Sequence, residues 1–184
     1  VGTTRIWGVG FLPLGWARFV GVPANLHVDR LYAVGEQSFL ERFAPLVGSL
    51  FGDQADEAAE LARIEAFFMQ ALAAGPEADD PRISTCHAAL VNADIANVAE
   101  LAEATRLPAH TLERLCRRHF GFPPRLLLRR QRFMRSLSQY MLDPELKWIG
   151  AIDGHYHDQA QFVRDFRRFM GMTPRAYVAH PRPV

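Results

Sequence analysis

Arginines recur at a spacing of fifty residues: Arg114, Arg117, Arg118 and Arg125, then Arg164, Arg167, Arg168 and Arg175. A guanidinium is always charged, and its planar fork matches a phosphate or the O6/N7 edge of guanine. The chemistry this implies is recognition of anions and base edges, not bond breaking. The surrounding segments also match. Leu112–Arg125 (LERLCRRHFGFPPR) and Phe162–Arg175 (FVRDFRRFMGMTPR) share Gly121/Gly171 and Pro124/Pro174, which makes six identities at one offset. Apolar places correspond as well, Leu112/Phe162 and Cys116/Phe166 among them, with Leu115/Asp165 the exception. Each copy is a basic helix closed by glycine and proline. A duplicated basic helix suits a regular polymer read at two successive places, and DNA offers one major-groove face per turn.

Other constellations carry less. His155, His157 and Asp158 invite a metal reading, but Asp158 is better used as a helix cap and no third ligand of matching spacing stands nearby. No metal and no cofactor is expected. The chain has no GxSxG elbow, phosphate-binding loop or dinucleotide turn, so it is not read as an enzyme. Cys86 and Cys116 lie far apart on apolar helical faces and read as buried, reduced thiols.

The formal charge of +1 conceals a split. Residues 1–81 hold five arginines against eleven acidic groups, a balance of −6; residues 82–184 hold sixteen basic against nine acidic groups, a balance of +7. Opposed halves imply two domains, one facing a polyanion. No apolar run approaches the ~18 residues of a membrane span, and no signal peptide is visible. A cytoplasmic protein is expected. The chain starts at Val1 without methionine and directly in a strand-like segment, which reads as a fragment of a longer protein.

The elements follow from periodicity and caps. Ile6–Leu12 (IWGVGFL) reads as a buried strand, with short helices at Gly15–Val20 and Gln37–Phe43. Asp53–Ala74 is the clearest helix of the first half, with an apolar stripe of Ala58, Leu61, Ile64, Phe68 and Leu72. Gly75–Pro81 (GPEADDP) is an acidic linker. Beyond it all is helix: Ile83–Val91; a helix capped by Asn97 with Glu100 in the capping-box position; a third from Pro108 to Gly121; a long fourth, Pro124–Leu142; a fifth begun by Asp143-Pro144; a sixth capped by Asp158 with Gln161; and Pro174–His180. Ala102 and Ala151 are expected where helix pairs cross closely. Trp7, Phe11, Trp16 and Phe19 read as core before ligand pocket.

Helix, tight turn and basic helix form the helix-turn-helix pattern, present twice. Arg82–Tyr177 resembles the DNA-binding domain of AraC/XylS-type transcription regulators. The resemblance is carried by VAELAEATRLPAHTLERLCRRHFGFPP (Val98–Pro124) and DQAQFVRDFRRFMGMTPRAY (Asp158–Tyr177). It implies a mainly α fold of two helix-turn-helix units bridged by a long helix, spanning 82–184, behind a partial sensor and dimerisation region of strand plus helices (1–75) and a linker (76–81). It implies reader positions at His110, Glu113 and Arg114, then at Gln159, Gln161, Val163 and Arg164. Arg117, Arg129 and Arg168 are placed as further DNA contacts. The implied partners are promoter DNA, a small-molecule effector, RNA polymerase and a second copy. Three positions depart from the family pattern: Arg106 and His155 stand where glycine is usual, with Gly154 one residue early, and Pro108 replaces the usual serine cap. The rival reading is a sensor or interaction protein whose turns are disturbed at these places and which no longer reads DNA. A metal enzyme built on His155, His157 and Asp158 is the third.

Overall fold

The structure, a computed structural model, describes residues 4–75, 79–143 and 145–179. The chain divides into two compact units: Val1–Ser84 with Arg117–Gly121, and Thr85–Cys116 with Phe122–Val184.

The first unit is helix and turn. α1 (Pro13–Gly15) runs into a π turn, Trp16–Val20, which ends at Gly21 with φ +79°. A 3-10 turn, Ser38–Phe43, leads into α2 (Ala44–Ser49). α3 (Glu57–Ala73) starts where the Asp56 side chain accepts from the Ala59 amide, satisfying one of the free N–H groups of the first turn. The strand expected at Ile6–Leu12 is corrected: these residues are irregular, and Ile6 is 84% exposed. A lone apolar segment has no ladder to join, since the described residues include no strand. The buried stripe of α3 is corrected too. Leu61 and Leu72 are exposed, and the inward face carries Glu60 and Ile64. Glu60 is 1% exposed because Arg5 pairs with it and the Trp7 indole donates to it at 2.7 Å. Phe11 and Phe19 pack edge-on against Phe68, with Phe43 and Phe67 alongside. All five rings are half-buried, and the buried apolar side chains of residues 4–75 are Val20, Leu46 and Ile64.

The second unit is built on one strut. α4 (Pro81–Val91) supplies its buried Cys86, Ala89 and Leu90. α5 (Val98–Thr105) opens with the expected capping box: Asn97 accepts from the Ala99 and Glu100 amides, while Glu100 reaches back. α6 (Ala109–Phe120) follows, then α7 (Pro124–Leu142), whose 19 residues coincide with the expected long helix. α8 is one turn, Trp148–Ala151, later than the Asp143-Pro144 start that was expected; Pro144 lies outside the described residues. α9 (Gln159–Met170) and α10 (Pro174–Val178) complete it, and His180 likewise lies outside. So do residues 76–78 of the expected linker. α5, α8 and α9 pack on α7, and α10 on α9.

Two cores result. Leu101, Leu112, Leu115, Cys116, Leu127 and Leu128 are buried around the first helix pair. The two thiols lie 3.7 Å apart there, and both are free. The second pair is aromatic: Phe133, Tyr156, Phe162 and Phe166, with Trp148 stacked on Tyr140 at 3.8 Å. Ala151 is fully buried, as expected of a close crossing. Ala102 is only half-buried; Leu101, fifty residues before Ala151, takes that inward place instead.

Candidate nucleic-acid interface

α6 and α9 are amphipathic in the same register. Inward stand Leu112, Leu115 and Cys116, or Phe162, Asp165 and Phe166. Outward and exposed stand Arg114, Arg117 and Arg118, or Arg164, Arg167 and Arg168. The repeated identities are therefore of two kinds: solvent-facing arginines, and the Gly and Pro that stop each helix. Gly121 and Gly171 both adopt the left-handed conformation, φ +81° and +70°, which costs a residue without Cβ nothing.

The turns form despite their unusual residues. Arg106 takes the left-handed conformation itself (φ +54°), and its amide closes on the Ala102 and Glu103 carbonyls. An L-residue with Cβ pays about 1–2 kcal/mol there. Pro108 cannot cap by side chain, but its carbonyl accepts from the Thr111 and Leu112 amides at 2.9 Å. In the second turn neither Gly154 nor His155 is left-handed. Asp153 organises that turn instead. Its amide donates to the buried Ser136 hydroxyl (2.8 Å), and its carboxylate accepts from Arg135 (2.5 Å) and the His155 amide (2.9 Å). Burial alone would raise this carboxyl, but Arg135 and the His155 amide outweigh it and hold it below the ordinary range. The His155 ring donates to the Ala93 carbonyl at 2.8 Å. Asp158 caps α9 through the Gln161 amide at 2.6 Å, while the Gln161 side chain accepts from the His157 amide. His155 and Asp158 are thus engaged in the fold, and the described residues hold no cluster of three metal-ligating side chains.

The one mismatch in the repeat proves structural. Asp165 stands where Leu115 stands in the first copy, and it is 0% exposed. Arg129 on α7 holds its Oδ1 through Nε at 2.5 Å and through a second nitrogen. Tyr156 donates to Oδ2 at 3.2 Å, and Arg132 lies 3.7 Å from the same oxygen. The hydrogen bond to Asp165 raises the Arg129 guanidinium above its usual value, and burial followed by the Asp165 charge pushes the Tyr156 phenol up. Arg132 also donates to the His155 carbonyl and lies over the Tyr156 ring at 4.4 Å.

Of the expected contact residues, His110, Arg114, Arg117, Gln159, Arg164 and Arg168 are exposed. Glu113, Gln161 and Val163 are half-buried, and Val163 packs on the aromatic core. Arg129 is one-third exposed beside its ion pair. Gln161, Arg164 and Arg129 meet in one cleft, with Arg125 and Arg132. Sequence reasoning gave no role to Asp165, Asp153 or Arg125. Asp165 had left a signal, as the charged residue in an apolar column of the repeat, and Arg125 another, as the match of Arg175.

A family model described as a helix-turn-helix domain matches residues 101–180. The matched stretch contains both basic helices and the strut. It supports a DNA-binding helix-turn-helix domain over these residues, and with it a DNA-binding transcription regulator. The matched family is one of regulators rather than enzymes. No curated protein and no solved structure matches the chain. No helix of the described residues is long and apolar enough to cross a membrane.

Proposed function

We propose that the helix-turn-helix region reads two successive major-groove segments of a promoter, one with α6 and one with α9. The observation that carries this is the matched exposure of Arg114 and Arg164, at equivalent places in two helices of identical register. Each is the sixth of twelve residues in its helix, on the exposed face of the half that can reach base edges. His110, Glu113 and Arg114 read in the first copy; Gln159, Gln161, Val163 and Arg164 read in the second. Arg117, Arg129 and Arg168 hold the backbone. α7, at about 1.5 Å per residue, spans roughly 28 Å, against ~34 Å between successive grooves on one DNA face. If both helices engage together, the DNA bends to meet them. Residues 82–184 form the reading domain of a cytoplasmic regulator, behind a sensor and dimerisation region in 1–75. An effector, RNA polymerase and a second copy are its further partners.

The test is a titration of full chain on the duplex upstream of its own gene and on a scrambled duplex. The upstream duplex should bind more tightly. Arg164→Ala should lose about 1–3 kcal/mol of that preference, the worth of one bidentate base contact. Equal loss on both duplexes would show that Arg164 holds phosphate and that the reader assignment is wrong.

A further inference from the structure

Four arginines converge on a cleft of about 440 Å³: Arg125, Arg129 and Arg132 from one face of α7, and Arg164 from α9. Positions 125, 129 and 132 are separated by four and three residues, so their side chains share one stripe of the strut. Asn97, the cap of α5, and Gln161 complete the wall. The single buried carboxylate against this group is Asp165, held by Arg129 and approached by Arg132. Arg125 and Arg164 have no ion pair among the described residues, and both are exposed. The cleft thus carries three positive charges more than its fold compensates. The Nε of Arg132 is also buried without a hydrogen-bond partner. Like charges gathered in a concavity repel one another, and an oxyanion with several acceptor oxygens relieves that repulsion.

We propose that the α7 arginines of this cleft bind a phosphate group, Arg164 being left to its base edge, and that its source is a DNA backbone phosphate lying between the two groove segments. The inference rests on the two-segment reading. When two helices of one domain enter successive major grooves on the same face, the backbone flanking the intervening minor groove passes in front of the strut. The arginine stripe of α7 is where such a phosphate is met. A contact of this kind carries no sequence information; it fixes register and orientation.

Arg125 is the residue to change, because it is exposed and outside the Asp165 pair, so Arg125→Gln leaves the fold's ion pairs intact. Wild type and variant are titrated on the upstream and scrambled duplexes at several salt concentrations, and full chain is melted with and without inorganic pyrophosphate. The expected result is loss of affinity by the same factor on both duplexes, with the slope of log K against log salt smaller by about 0.9. Duplex binding with an unchanged slope in the variant overturns the proposed contact while leaving the reading of DNA standing. If wild type binds no duplex, the two-segment reading fails by itself and the melts decide the cleft. A pyrophosphate stabilisation that Arg125→Gln abolishes then assigns the site to a free phosphate ligand, and no stabilisation overturns the site.

Discussion

Replacing Arg129 by methionine should be among the most damaging changes on the surface of the helix-turn-helix region, and a second substitution should partly repair it. Arg129→Met leaves the Asp165 carboxylate with the Tyr156 hydroxyl at 3.2 Å and an arginine nitrogen at 3.7 Å. Removing one partner of a buried ion pair costs about 3–5 kcal/mol, because the surviving charge cannot reach water. The two residual partners place the cost at the lower end, about 3 kcal/mol. Asp165→Leu installs the residue that the first copy of the repeat carries. It strands Arg129, but that side chain is one-third exposed and can turn into solvent, so the cost should be about 1–2 kcal/mol. In the double variant neither charge is stranded, and its loss should be smaller than that of Arg129→Met alone. Urea unfolding of wild type, both single variants and the double variant, followed by circular dichroism, reads the cycle. Additive losses, with the double variant at about 4–5 kcal/mol, would refute the claim that Asp165 is a buried charge dependent on Arg129.

Three further outcomes follow from the same geometry. Arg106→Gly relieves a left-handed residue and should stabilise the fold by about 0.5–1 kcal/mol after the added chain entropy of glycine is offset, seen as a higher Tm; a lower Tm would mean that the Arg106 side chain has a packing role. Ala151→Leu should overpack a fully buried crossing at about 1–3 kcal/mol, whereas Ala102→Leu, at a half-buried site, should stay within about 0.5 kcal/mol; equal costs would contradict the placement of Leu101 as the inward residue. Because the Asp153 carboxyl is held below its ordinary value, its contribution to stability is fully present above about pH 5 and is lost as pH falls below about 4. Asp153→Asn should therefore lower stability at pH 7 and flatten the acid limb of the pH–stability curve. A variant with the same acid limb as wild type would remove Asp153 from that role.

Much of the second unit was legible because its signals are local. Asn97 with Glu100, Asp158 with Gln161, and the Pro124 start each name a helix end through backbone groups only a few residues away, and the structure places those ends accordingly. The first unit was harder. Ile6–Leu12 has the apolar run of a strand, yet strand identity is conferred by a partner, and no pattern within seven residues reveals whether one exists. The inward face of α3 was misjudged for the same reason. Glu60 is buried because Arg5 and Trp7, more than fifty residues earlier, satisfy it. At the candidate interface the exposed arginines were readable from the repeat, since solvent-facing positions follow from helical period alone. The Arg129–Asp165 pair was not: it joins α7 to α9 over 36 residues, and only the broken column at Leu115/Asp165 hinted at it.

That broken column makes the two basic helices keyed rather than interchangeable. They look like duplicate cassettes, with matching arginines outside and matching stops behind. Yet a chimera carrying α6 in the position of α9 would set Leu115 against Arg129 and Arg132 with no carboxylate to receive them. The reverse graft would bury the charge of Asp165 where a leucine only 6% exposed now sits. Exchanging α9 would therefore require α7 to travel with it, so that the smallest transferable module is the strut and α9 together, while α6 can be altered on its outer face alone.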